Sequence, residues 1–270
     1  MPCASVSAKR TETSVEKRKP STAEDYDRGM SVAALADLVR HRQPCVVLTG
    51  AGVSTESGIP DFRSPGGLWS EFDPLDYGSI ESFRRDPGRI WEFYGRRFRF
   101  LVEAEPNIAH DAIAELERRG RVQAVVTQNI DLLHRRAGSR QVVEVHGSIR
   151  HSVCLDCGRE EPLDAVLAQL EERAAPLCPS CGSVLKPGVV MFGELLPEDA
   201  LRRAHHLARD AALMMVVGSS LEVWPIAGLP LEARSFAIVN RGPTALDENA
   251  ALVVEGGAGE TLSALVEALA

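Results

Sequence analysis

The chain has 270 residues, of which 44% are hydrophobic, so it can bury one large core, or a large and a small one. This composition excludes a fibre and a chain that is disordered throughout. The formal net charge of −8 gives no general attraction toward nucleic acid, and we expect no nucleic-acid partner. No apolar run approaches the roughly 18 residues of a membrane span, and residues 1–20 contain no apolar block. We therefore expect neither membrane insertion nor secretion.

In chain order, the sequence predicts a tail, then one large globular domain. Residues 1–28 are polar and charged, which is typical of a disordered extension, and the globular domain should occupy 29–270. Apolar residues recur at helical spacing over 30–42, and 45–49 is a buried strand by its pattern. Further strands are predicted at 122–126, 142–145, 213–217, 236–239 and 251–254, with helices such as 108–119 and 198–209 between some of them. This alternation predicts an α/β fold with a Rossmann-like, mostly parallel sheet.

Two segments interrupt this alternation. The block at about 150–185 carries cysteines and is punctuated by Gly and Pro, so we expect a small inserted module. The stretch 64–86 mixes Gly, Pro and Ser with aromatic residues. We expect it to be a long, mobile loop that closes over a ligand.

Four of the six cysteines form two Cys-x-x-Cys pairs, Cys154/Cys157 and Cys178/Cys181. This spacing predicts a structural zinc ion held by four thiolates, with no coordination position left for water. A redox-active pair is the weaker interpretation, because neither pair begins a helix after a strand. Thiolate ligands persist in a reducing compartment, so we expect a cytoplasmic protein.

Small or polar residues follow five of the predicted strands. They are Gly50-Ala51-Gly52-Val53-Ser54, Thr127 to Asp131, His146-Gly147, Gly218-Ser219-Ser220 and Asn240-Arg241-Gly242. Ligands of an open parallel sheet bind at the carboxyl ends of the strands, so together these endings predict a binding site. The Gly50-x-Gly52 pair alone is a weak signal, because Thr55 stands where a dinucleotide fingerprint has its third glycine. By itself it fits an ordinary tight turn equally well.

The motifs GAGVSTESGIPDFR (50–63), TQNID (127–131), HG (146–147) and GSS (218–220) resemble, in this order, the signature motifs of sirtuins of the bacterial type. The resemblance implies an enzyme that uses NAD as cosubstrate to remove acyl groups from protein lysines. In that reaction the acyl oxygen attacks the anomeric carbon of the nicotinamide ribose as nicotinamide leaves, and the products are free lysine and O-acyl-ADP-ribose. An NAD hydrolase or protein ADP-ribosyltransferase is the alternative, since only the trapping group differs. A zinc-ribbon module for nucleic acid is a third class, which the acidic charge disfavours.

By the same resemblance, His146 is the general base for a ribose hydroxyl, and Asn129 and Asp131 organise the ribose and the carboxamide. A lone histidine after a strand is more often structural; its place beside the TQNID motif favours catalysis. The implied NAD-binding residues are Gly50, Ala51, Gly52, Ser54, Asp61, Phe62, Arg63, Trp69, Gln128, Asn129, Ile130, Asp131, Gly218, Ser219, Ser220, Asn240, Arg241, Gly242 and Ala258. The implied peptide-binding residues are Val190, Phe192, Gly193 and Glu194, which would pair with an acylated peptide as an added strand.

Tyr94 and Arg97 lie three residues apart on a predicted helix. The pair resembles the Tyr-x-x-Arg of sirtuins that remove succinyl and malonyl groups, and Gly78 would leave room for a longer acyl chain. The alternative is that Tyr94 belongs to the core and that Arg97 is solvated on a charged helix. The sequence does not predict the oligomeric state.

Overall fold

The computed structural model describes residues 23–270, with side chains described from residue 31 onward. The predicted tail lies outside the described residues over 1–22, and the first helix begins at Ala23, ahead of the boundary predicted near residue 28. No helix in the described range is long and apolar enough to cross a membrane.

The described residues form nine strands in two sheets. The strands are β1 (Cys45–Thr49), β2 (Ala124–Thr127), β3 (Val142–Glu144), β4 (Gly147–Cys154), β5 (Glu160–Pro162), β6 (Leu185–Val189), β7 (Leu213–Val217), β8 (Phe236–Asn240) and β9 (Leu252–Glu255). Six of them form a parallel sheet in the order β3-β2-β1-β7-β8-β9. The order of connection reverses between β1 and β7, which is where ligands bind in such sheets. The predicted Rossmann-like α/β class is confirmed.

The helices cover both faces of the parallel sheet. They are α1 (Ala23–His41), α2 (Leu68–Glu71), α3 (Pro74–Gly78), α4 (Ile80–Arg85), α5 (Pro87–Glu103), α6 (Ile108–Arg118), α7 (Leu133–Arg136), α8 (Leu163–Glu172), α9 (Glu198–Asp210) and α10 (Ala258–Ala268). Short 3₁₀ helices span Ala51–Ser57, Ile226–Glu232 and Asp247–Asn249. Successive residues of β1 face opposite ways: Val47 packs in the core with α1, α6 and α10, whereas Leu48 packs in the core with α9. Burial on both faces explains why these strands are continuously apolar.

We predicted one long loop for the stretch 64–86. That prediction is wrong, because the stretch contains the short helices α2, α3 and α4. The side chain of Asp73 accepts a hydrogen bond from the Leu75 amide, and Pro74 occupies the first position of α3. Ser79 caps α4 in the same way through the Ser82 amide. Local caps therefore order a segment whose composition suggested a loop. Its mobility stays a prediction.

The inserted block forms a second, smaller unit. Strands β5, β4 and β6 make an antiparallel sheet in that order, and α8 packs on it. Helix α5 joins this unit to the rest of the chain through a shared core. The indole nitrogen of the fully buried Trp91 donates a hydrogen bond to the Leu185 carbonyl at 2.6 Å. This contact fixes α5 against β6.

The four predicted zinc ligands come together in this unit. Their sulfur atoms all lie within 4.8 Å of one another, with Cys154 to Cys181 at 3.4 Å and Cys157 to Cys178 at 3.5 Å. Zinc–thiolate bonds of about 2.3 Å in a tetrahedron place sulfurs about 3.8 Å apart, so the cluster fits one zinc ion. The amides of Gly158 and Gly182 each close a turn onto the first cysteine carbonyl of their pair. Both glycines have positive φ, a conformation that lets these turns present two sulfurs to one point.

Removing zinc should unfold the small unit, because without the metal four thiols have little to hold them together. We expect one zinc ion per chain by native mass spectrometry, and loss of cooperative unfolding of this unit on chelation or in Cys154→Ser. Cys45→Ala is the matched control, since Cys45 is buried in the main core away from the cluster. Retention of the unfolding midpoint after complete zinc removal would contradict a structural role.

Candidate active site

A cavity of about 740 Å³ opens at the carboxyl ends of β1, β2, β7 and β8, between the main domain and the small unit. Of the residues predicted to bind NAD or substrate, all line this cavity except Ser54, Asp131 and Gly242. Ser54 and Asp131 are buried behind its wall, at 1% and 5% exposure. Thr55, Glu56, Phe93, Glu222 and Trp224 also line the cavity and were not predicted. The size fits a ligand larger than a single small metabolite.

The loops after β1 and β7 touch through their backbones. The Gly52 amide donates to the Gly218 carbonyl at 2.9 Å, and a Cβ on Gly52 would lie 2.8 Å from that oxygen. Gly218 also has φ of +62°. Only glycine allows this approach, which leaves the floor of the cavity bare backbone. Such a surface can accept a bulky phosphate group closely.

A buried hydrogen-bond network holds the Asn129 side chain. Its Nδ2 donates to the Gly50 carbonyl at 3.1 Å and to Ser54 Oγ at 3.0 Å. Ser54 Oγ in turn donates to Asp131 Oδ2 at 2.7 Å. Burial raises the pKa of Asp131, while hydrogen bonds from the Leu133 amide and Ser54 oppose the rise. Ser54 and Asp131 thus support Asn129 from behind, and do not face the cavity themselves.

Two further histidines belong to this network and were missed from the sequence. The Asn107 amide donates to His110 Nδ1 at 3.3 Å, so Nε2 carries the proton and faces Ser54 Oγ at 3.4 Å. Burial lowers the pKa of His110 to about 4, which keeps the ring neutral. His134 packs edge-on against His110 and bonds Thr49 Oγ1 at 2.9 Å. Asn107 three residues before His110, at a helix start, is the signal that could have pointed to this pair.

His146 lies on the cavity wall after β3. Its Nδ1 lies 3.2 Å from the Gln128 carbonyl oxygen, which can only accept, so Nδ1 carries the proton. The lone pair on Nε2 is therefore free to take a proton. Burial lowers the pKa of His146, and the bond to Gln128 offsets part of this effect. The ring is therefore neutral near pH 7 and able to accept a proton.

Charged residues surround the remaining walls. Arg63 Nε pairs with Glu222 Oε2 at 3.2 Å, which joins the 61–64 segment to the segment after β7. At the far end, Glu56 accepts from the Gly259 amide at 3.2 Å and lies 3.9 Å from Arg241. Ser219 Oγ accepts from the Gln128 side chain at 3.0 Å. The cavity therefore has a polar, ribose-compatible lining on the side of β7 and β8.

Tyr94 and Arg97 face the cavity from α5. Tyr94 is 7% exposed, burial raises its pKa to about 12, and its hydroxyl makes no hydrogen bond to another described residue. No carboxylate among the described residues lies within 4.0 Å of the half-buried Arg97 guanidinium, which stands 5.4 Å from the Phe62 ring centre. By contrast, Arg96 is exposed and paired with Glu92 at 2.7 Å. An unpaired guanidinium and a free hydroxyl thus meet in one corner.

The segment 190–194 forms another wall. Strand β6 ends at Val189, so this predicted substrate strand is a turn beyond the sheet. The Phe192 amide donates to the Gly78 carbonyl at 2.7 Å, and the Val190 amide donates to the His146 carbonyl at 2.9 Å. A Cβ on Gly78 would lie 3.3 Å from the Phe192 ring, so a larger residue there would crowd the wall.

Comparisons with known proteins agree with this geometry. The model of the Sir2 family matches residues 50–225. An NAD-dependent protein deacylase 2 of Pyrobaculum aerophilum is 45% identical over 237 residues, covering 86% of this chain and 94% of the relative. A solved structure described as "Structural Basis for the Mechanism and Regulation of Sir2 Enzymes" is 44% identical with a TM-score of 0.83, covering 89% of this chain and 98% of that one.

A second solved structure, described as "Sir2-p53 peptide-NAD+", is 40% identical with a TM-score of 0.81 and covers 87% of this chain and 96% of that one. Family, fold and cavity therefore agree with the resemblance seen in the motifs. The chain belongs to the Sir2 family, the sirtuins, and is an NAD-dependent enzyme that removes acyl groups from protein lysines.

Proposed function

We propose that this deacylase accepts acidic acyl groups, succinyl and malonyl, in addition to acetyl. The observation that carries the proposal is the Arg97 guanidinium, which lines the cavity without a carboxylate partner among the described residues. A half-buried cation without a partner loses part of its hydration, and a ligand carboxylate would compensate for that loss. The planar guanidinium matches a carboxylate with two parallel hydrogen bonds.

The Tyr94 hydroxyl supports the same assignment. Because burial raises its pKa to about 12, it stays protonated and can donate to the second carboxylate oxygen. Gly78 keeps the neighbouring wall open at Phe192 and Trp69. The alternative, a core tyrosine beside a solvated arginine, fits poorly with an Arg97 that is half-buried while its neighbour Arg96 is exposed and paired.

The arrangement also supports roles for the residues around the reacting centre. His146 Nε2 would take the proton from a ribose hydroxyl, since its other nitrogen is committed to the Gln128 carbonyl. Asn129, held by Gly50 and Ser54, would orient the nicotinamide ribose. Asp131 acts through this network, so we assign it and Ser54 as positioning residues instead of ligands of NAD.

The two ends of the cavity divide NAD between them in this proposal. Asp61, Phe62, Ile130 and Trp69 would enclose the nicotinamide, and Arg63 would meet a phosphate after leaving Glu222. Gly218, Ser219, Ser220, Asn240, Arg241 and Ala258 would hold the adenosine. Gly242 lies outside the lining, in a turn with φ of +79°, and would shape that end without contact.

The substrate peptide would lie against residues 190–194. The Val190 carbonyl and the Gly193 amide form no backbone hydrogen bond within the described residues, so both are available to an added strand. Main-chain pairing demands little of the peptide sequence.

We also propose a cytoplasmic location, because four zinc thiolates need a reducing compartment. The expectation that nucleic acid is not a partner stays a prediction.

Changing Arg97 to Met should separate the acyl groups. Loss of the carboxylate partner should lower kcat/KM for a succinyl-lysine peptide by about 100-fold, in line with about 2–5 kcal/mol for a buried charge pair. Activity on the acetyl-lysine peptide should change by less than about threefold, since that group carries no carboxylate. Arg96→Met, one residue away on the exposed face, should change neither. Equal losses for both peptides would contradict the proposal.

The acid side of the pH profile should lie below the ordinary histidine pKa. The base must be neutral, so activity falls as pH drops through the His146 pKa, which burial lowers from 6.5. We expect kcat/KM for an acetyl-lysine peptide to reach half its plateau below pH 6.5, with His146→Ala as the blank. A midpoint above pH 6.5 would mean that another group, or a differently placed histidine, controls the reaction.

A further inference from the structure

Lys186 is a buried lysine that the proposed chemistry does not use. It lies in β6, is 6% exposed, and points its ammonium group away from water. The Nζ atom donates to the Pro187 carbonyl at 2.8 Å and to the Val189 carbonyl at 2.7 Å, and lies 3.0 Å from Glu194 Oε2. All three ammonium protons thus have acceptors, and the third is a carboxylate on the cavity wall.

Glu194 carries this contact into the turn that follows β6. Its Oε2 also accepts from the Met191 amide at 2.8 Å, while its own amide donates to the Met191 carbonyl at 3.0 Å. The turn between them contains Gly193 with φ of +86°, which most residues do not adopt. Without a fixed Glu194, the Met191 amide would lose its partner and the turn would have one closing bond instead of two.

The position of this turn decides which backbone groups the cavity presents. Upstream, the Val190 amide is tied to the His146 carbonyl, and Phe192 is tied to Gly78 and Ile80 by two backbone bonds. Between these ties, the Val190 carbonyl and the Gly193 amide make no backbone hydrogen bond to any residue that the structure describes. Their direction therefore depends on the turn that the Lys186–Glu194 pair closes.

We propose that Lys186 is a positioning residue for the substrate peptide: it holds Glu194, and through it the 190–194 turn, in the shape that pairs with the acyl-lysine strand. A charge-assisted bond in a dry environment is strong and directional, which suits this task. The inference rests on the proposed placing of the peptide on 190–194. It is independent of the acyl-group preference, because Lys186 does not line the cavity.

The test is steady-state kinetics of the zinc-loaded full chain with an acetyl-lysine peptide and NAD. Lys186→Met should raise KM for the peptide about tenfold, the loss of about 1.4 kcal/mol, while KM for NAD stays within about twofold. Lys186→Arg, which keeps the charge and the donors, should recover most of the peptide KM. Glu194→Gln provides a weaker acceptor for Lys186 and should raise the peptide KM by an intermediate factor. It replaces Lys186→Met as the test if that variant does not fold.

Trp91→Phe is the matched control for a purely structural effect. It removes another buried hydrogen bond to the same strand, from Trp91 to the Leu185 carbonyl, and this bond does not involve Lys186 or Glu194. It should lower the unfolding midpoint and leave the peptide KM unchanged. A similar rise in peptide KM in Trp91→Phe and Lys186→Met would overturn the proposal, as would a peptide KM that does not change in Lys186→Met and Glu194→Gln.

The variant Phe192→Ala distinguishes the proposed role of Lys186 from the underlying proposal that the peptide binds along residues 190–194. If Phe192→Ala raises the peptide KM while Lys186→Met does not, the peptide lies on 190–194 and Lys186 has no part in placing it. If neither variant changes the peptide KM, the segment itself is not the peptide site, and both proposals fail.

Discussion

The backbone contact between the loops after β1 and β7 constrains every other part of the site. Gly52 and Gly218 meet with no side chain between them, at the point where the order of strands reverses. Because these loops touch, the floor of the cavity is backbone without side chains. Residues that follow β2, β3 and β8 form its walls. A methyl group at Gly52 would separate the loops and displace the Asn129 network, since Gly50 is one of its acceptors. The lack of side chains at Gly52 and Gly218 therefore sets the positions of the two loops that form the site.

The polar groups around this contact form two layers, one that lines the cavity and one that is buried behind it. His146, Gln128 and Asn129 face the cavity, and Ser54, Asp131, His110 and His134 stand behind them. The rear layer is neutral or internally bonded, so it can orient the front layer without competing for a ligand. Arg97 differs from all of these: it is the group whose partner, in the proposed function, arrives with the substrate.

Much of this arrangement followed from the sequence. The central strands were predicted almost to the residue, because a doubly covered parallel sheet demands continuous apolar runs such as 213–217. The four cysteines were predicted as zinc ligands from their spacing alone, since two Cys-x-x-Cys pairs are typical of a four-thiolate zinc site. Short caps were harder: Asp73 and Ser79 convert a Gly- and Pro-rich stretch into helices through single hydrogen bonds. For His110, Asn107 at the start of α6 was the available sequence signal, whereas the role of His134 depends on contact between α6 and α7, which the sequence does not show. The sequence does not indicate the buried position of Lys186, because lysine is ordinarily exposed.

In this enzyme, one cavity couples the cleavage of NAD to the removal of an acyl group from lysine. This coupling can be measured by mass spectrometry of the products formed from NAD and a succinyl-lysine peptide. We expect nicotinamide and O-succinyl-ADP-ribose in equal amounts, with no nicotinamide released when the peptide is omitted. Nicotinamide and free ADP-ribose formed at the same rate without the peptide would contradict it.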